Sequence, residues 1–120
     1  MEIVEIAKMI EAKIKSLELG REILKEYAQE KAETIGTYDK AMAKTIIALK
    51  NGAEFNLDGH VVKNPLTTVT ERIARGICFQ EKIDMELAEA KYKNAIVGMS
   101  AISSELNGYQ SIFRHLEERG

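Results

Sequence analysis

The sequence predicts a mainly α protein: long N- and C-terminal helices packed as an elongated bundle, with two short helices and a small β-hairpin at about residues 54–63. Three observations carry this. Apolar residues recur at three- and four-residue spacing toward both ends of the chain. The one proline, Pro65, lies between those stretches. Four Tyr, three Phe and no Trp leave a core of Ile, Leu, Val, Met and Ala, side chains that suit helix-on-helix packing. A length of 120 residues fits a single helical domain, residues 1–120, with the hairpin inserted.

From Ile3 to about Ala32 the apolar positions are Ile3, Ile6, Ala7, Ile10, Ile14, Leu17, Leu24, Tyr27 and Ala28. They form a narrow stripe, opposed by Glu5, Lys8, Glu11, Lys15, Glu18 and Glu22. Gly20 interrupts the stripe at a cost of about 1 kcal/mol relative to Ala, which suits a close helix crossing or a bend. Gly36 suits a left-handed C-terminal cap, so the first helix is expected to stop near Thr34–Gly36. Thr37 or Asp39 then caps a short second helix ending at Lys50. Its inner face is Met42, Ile46 and Leu49; Lys40 and Lys44 read as a solvated outer side.

Between Glu54 and Lys63 the period changes to alternation. Asp58-Gly59 is a strong type I′ signal, because that turn needs positive φ at both central positions. The register pairs Leu57 with His60, Asn56 with Val61, Phe55 with Val62 and Glu54 with Lys63. An isolated hairpin is marginal in water, so the Phe55 face must dock on helices, and the element reads as a connector rather than a functional wing. Asn64-Pro65 opens the next helix, with Thr68 and Glu71 at capping-box spacing allowing a later start. Its buried stripe is Leu66, Val69, Ile73 and Ile77.

The last third, Ile77 to about Glu118, carries two apolar seams. One runs through Phe79, Ile83, Leu87, Ala90, Val97, Ala101 and Ile112. The other runs through Met85, Ala88, Tyr92, Ile96, Met99, Ile102, Leu106, Tyr109, Phe113 and Leu116. A helix exposed on one side needs one stripe, so two imply two neighbours: the first helix, and a second copy of the chain, a homodimer being the simplest assembly.

Composition narrows the function classes. A formal charge of −2 gives no global case for nucleic acid or an anionic membrane. Cys78 is the one cysteine, so an internal disulfide and a thiolate zinc cluster are excluded. No apolar run approaches the ~18–20 residues of a membrane span, and Met1-Glu2-Ile3-Val4-Glu5 does not resemble a secretory leader; a cytoplasmic protein is expected. His60 and His115 lack metal-ligand spacing, and no phosphate loop, nucleophile elbow or catalytic triad is present, so neither an enzyme nor a cofactor is expected. Cys78, between Ile77 and Phe79, reads as a core thiol.

The phrases Ala90-Lys91-Tyr92-Lys93, Leu106-Asn107-Gly108-Tyr109-Gln110-Ser111, Ala41-Met42-Ala43-Lys44 and Ile77-Cys78-Phe79 resemble small helical proteins encoded by phages and prophages of Firmicutes. The resemblance covers about the last 80 residues and includes no catalytic signature. It implies a phage accessory protein acting in the host cytoplasm, with inhibition of a host defence factor, such as an anti-CRISPR activity, as its most concrete form.

The candidate binding residues are Tyr109, Gln110, Arg114 and His115, which a break at Asn107-Gly108 would present together, and Arg72 and Arg75. Gln110, Arg114 and Glu117 or Glu118 share a polar face suited to a carboxylate or phosphate, because Arg makes bidentate contacts. The same residues suit the solvated end of a helix. Arg72 and Arg75 with Lys82 form a basic patch diluted by Glu71, Glu81 and Asp84. The leading expectation is therefore a non-enzymatic homo-oligomer that binds a host or phage protein. The alternatives are a nucleic-acid-associated factor in phage recombination or replication, using Arg72, Arg75 and Arg114, and a sponge for a nucleotide signal, using the same arginines with Tyr109.

Overall fold

The computed structural model describes residues 2–119. Helix α1 (Ile3–Lys50) leads into strands β1 (Phe55–Leu57) and β2 (His60–Val62), then α2 (Thr67–Ile77) and α3 (Phe79–Arg119). Two long helices packed together, with short elements between them, are the architecture the patterning predicts. The contacts divide the chain into two compact units. One holds α1 up to Ala28 and α3 from Ala90 on; the other is Gln29–Glu89.

In the first unit α1 and α3 run antiparallel. Lys13 meets Glu105, Gly20 meets Met99, and the Lys91 Nζ sits 4.4 Å from the Tyr27 ring centroid, so α3 numbers fall as α1 numbers rise. The positions turned inward follow a strict heptad. On α1 they are Ile6, Ile10, Lys13, Leu17, Gly20, Leu24 and Tyr27. On α3 they are Tyr92, Ala95, Met99, Ile102, Leu106, Tyr109, Phe113 and Leu116. This corrects the sequence stripes in four places: Ile3, Ile14 and Ala28 on α1 and Ile96 on α3 are exposed. Lys13 and Ala95 take places in the inward heptad beside the stray Ile14 and Ile96, because a 3.5-residue seam fixes the phase regardless of side-chain type. Gly20 is a close-approach glycine: a Cβ there would lie 3.1 Å from Met99 Cγ and 3.2 Å from its sulfur.

The expected stop at Gly36 does not occur, and the second short helix is the C-terminal part of α1. Thr34, Tyr38, Ala41, Thr45 and Ala48 continue the same heptad, so packing on both sides of Gly36 outweighs the roughly 1 kcal/mol that a helical glycine costs. The helix ends where Asn51-Gly52 indicates. Gly52 has φ +83°, its N–H donates to Leu49 O (3.2 Å), and the Ala53 N–H donates to Ala48 O (2.9 Å), the paired bonds of a Schellman cap.

The hairpin has the expected register, Phe55 with Val62, Asn56 with Val61 and Leu57 with His60. Asp58 (φ 49°) and Gly59 (φ 86°) supply the two positive φ values, and the Gly59 N–H donates to Asn56 Oδ1 at 2.8 Å. Glu54 and Lys63 fall just outside the ladder. The Leu57 side chain lies 3.4 Å from where a Gly76 Cβ would be, a close contact that docks the hairpin on α2.

Helix α2 begins at Thr67, after Asn64 in a left-handed conformation (φ 50°) and Pro65 in the approach. Leu66 occupies the cap position without a side-chain cap bond and is 76% exposed, so it leaves the predicted buried stripe. The Thr68–Glu71 capping box is not used; Glu71 pairs instead with Arg75. Cys78 separates α2 from α3: its N–H donates to Ala74 O (2.9 Å) and its carbonyl accepts from the Lys82 N–H (3.2 Å). The core of this unit is small and tight, with Leu49, Ala74, Cys78 and Ala88 buried, and the Thr45 hydroxyl 3.3 Å from the Cys78 sulfur.

Candidate interaction surface

Once α1 and α3 have paired, the residues left in water define the surface available for recognition. The two seams of α3 separate as expected in kind: the Met85-to-Leu116 seam is largely turned inward, and the Phe79-to-Ile112 seam faces out. Phe79, Leu87 and Val97 are 58%, 64% and 68% exposed. On α1, Leu19 and Ile23 are also exposed. With Gly20, Gly98, Met99 and Ile102 they line an open apolar groove of about 320 Å³ beside the α1–α3 pair. Sequence patterning does not find this groove, because Leu19 and Ile23 fall outside the α1 stripe. Their four-residue spacing beside Gly20 is the one signal that points to it.

The predicted recognition cluster is only partly assembled. Helix α3 continues through Asn107-Gly108 to Arg119, so no break presents Tyr109 with its neighbours. Helix formers on both sides and the continuing Leu106, Tyr109 and Phe113 seam hold the helix through the glycine. Tyr109 is half-buried on the inward seam, while Gln110, Arg114 and His115 are exposed. Arg114 and His115 do share one open depression of about 310 Å³, with Ser111 and Glu118. Arg72 and Arg75 belong to the other compact unit. Arg75 Nη2 lies 2.6 Å from Glu71 Oε1. The Lys82 Nζ lies 3.9 Å from Glu86 Oε1 and 5.7 Å from the Tyr38 ring centroid. Two cations of the basic patch thus already face carboxylates on their own helices, while Arg72 is exposed.

One charged pair belongs to the inward seam. Lys13 occupies a heptad position and reaches Glu105, whose hydrogen bond, followed by its charge and that of Tyr109, outweighs desolvation and raises the Lys13 pKa above its ordinary value. A polar side chain at such a position fixes the register of two helices at some cost in stability. Among the described residues no group of three or more His, Cys, Asp or Glu stands where it would hold a metal ion, and no helix is long and apolar enough to cross a membrane.

The fold and this surface define a class: an antiparallel helical hairpin with a β-hairpin insertion and unpaired apolar side chains on both long helices. No family model, curated protein or solved structure matches the chain.

Proposed function

We propose that the chain is a non-catalytic helical protein that works as a homo-oligomer and acts by binding another macromolecule of the host or the phage. The observation that supports this is the outward seam of α3, where Phe79, Leu87 and Val97 stay more than half exposed after α1 has packed. Large apolar side chains left in water on a helix face point to a further binding surface. The resemblance of four phrases to phage and prophage proteins sets the context. In that context the partner is a host factor in the cytoplasm, and inhibition of a defence system, such as CRISPR, is the most concrete form.

The test is co-purification from host extract with tagged wild type and Val97→Glu, followed by reconstitution from purified components. The reading expects a stoichiometric partner that rebinds wild type in isolation and is lost with Val97→Glu. A partner retained equally by the variant, or none at stoichiometric level, overturns it.

A further inference from the structure

We infer that the groove rimmed by Leu19 and Ile23 is where a second copy of this chain docks, antiparallel, about a two-fold axis passing at Gly98. The inference rests on the homo-oligomer reading above and assigns the surface that reading leaves open. Its basis is that the groove is complementary to itself.

The level of one helix against the other is fixed by Gly20 facing Met99, Lys13 facing Glu105 and Tyr27 facing Lys91. Gly98 on α3 therefore stands level with Arg21 on α1, the midpoint between Leu19 and Ile23. A two-fold axis at that level, perpendicular to the helices, stacks α1 on its copy and α3 on its copy with both pairs antiparallel. Leu19, 68% exposed, then meets the Ile23 of the second copy, 42% exposed, and the contact occurs twice. The same operation treats charge consistently. Lys91 lies seven residues before Gly98 and Glu105 seven residues after it, so each copy sets a lysine against the other's glutamate. Glu105 remains 52% exposed while paired with Lys13, which leaves a carboxylate edge for that contact. At the axis itself, a Cβ on Gly98 would meet nothing within 4 Å in the single chain, so two backbones can approach closely there. The interface is isologous and closes at two copies, giving a four-helix bundle.

Two kinds of variant test the assignment. Leu19→Glu places a charge on the rim without touching the inward seam. It is expected to halve the solution mass from twice 13.4 kDa to 13.4 kDa while leaving the helical circular dichroism unchanged. Gly98→Cys is expected to form an intermolecular disulfide under mild oxidation roughly tenfold faster than Ser100→Cys, because bridging needs Cα atoms within about 7 Å. The buried Cys78 stays in place in both. A dimer that persists in Leu19→Glu, or Ser100→Cys cross-linking as fast as Gly98→Cys, overturns this interface and leaves the homo-oligomer reading standing. A monomeric wild type overturns both.

Discussion

Substituting Gly20 by Ala tests the close crossing of α1 and α3 directly. In an open helix the change would stabilise by about 1 kcal/mol, the propensity difference between the two residues. Here the new Cβ lies 3.1 Å from Met99 Cγ and 3.2 Å from the sulfur, tighter than ordinary van der Waals contact. Displacing a packed thioether costs about 1–3 kcal/mol by analogy with other overpacked cores. The two terms oppose, so Gly20→Ala alone should change stability by between zero and about 2 kcal/mol in the destabilising direction. In a Met99→Ala background the clash is gone and Gly20→Ala should gain the full ~1 kcal/mol. Urea melts of the four proteins, followed by circular dichroism at one fixed protein concentration, give the coupling energy as a double-mutant cycle. The expected coupling is at least about 1 kcal/mol; additivity within roughly 0.3–0.5 kcal/mol, as for residues out of contact, refutes the crossing.

Gly36→Ala and Gly108→Ala, whose new methyl groups would meet nothing within 4 Å, should each raise stability by about 0.5–1 kcal/mol in the same assay. Destabilisation by either would show that the helix does not pass through that position as described. Leu49→Ala should cost about 2–5 kcal/mol because Leu49 is 1% exposed, whereas Leu87→Ala, on the outward seam, should stay within about 0.5 kcal/mol in a monomeric background such as Leu19→Glu. The Lys13–Glu105 pair predicts an alkaline signature. Because the folded Lys13 pKa is raised, its contribution is complete below the ordinary lysine value of 10.5 and is lost as pH rises through the folded value. The melting-temperature gap between wild type and Glu105→Gln should therefore be flat from neutral pH to about pH 9.5 and shrink above pH 10.5; a gap that widens there would contradict the pairing.

Much of this fold is legible in residue order because the relevant physics is local. Asp58-Gly59 dictates a turn that only one register satisfies, and Asn51-Gly52 supplies the left-handed residue that a Schellman cap requires. The two misplaced helix breaks share one cause. Gly36 and Gly108 look like breaks because a lone glycine is a poor helix residue, yet a heptad seam sustained through both positions keeps the helix going. The same seam recruits Lys13, Gly20 and Ala95, which no apolar count would select, and leaves the apolar Ile14 and Ile96 outside. Among the candidate site residues, Arg114 and His115 are consecutive in sequence and line one open depression. Tyr109 belongs to an apolar seam legible in the sequence, and only the pairing with α1 decides that this seam is the inward one. The groove at Leu19 and Ile23 is a product of two helices, and on α1 alone only their four-residue spacing beside Gly20 hints at it.

The claim that unites these observations is that the groove lined by Leu19, Ile23 and Gly98 is covered by another copy of the chain. Light scattering on purified wild-type protein at micromolar concentration tests it most directly. Self-association predicts a mass of twice 13.4 kDa that falls on dilution or with Leu19→Glu; a mass of 13.4 kDa throughout would contradict it.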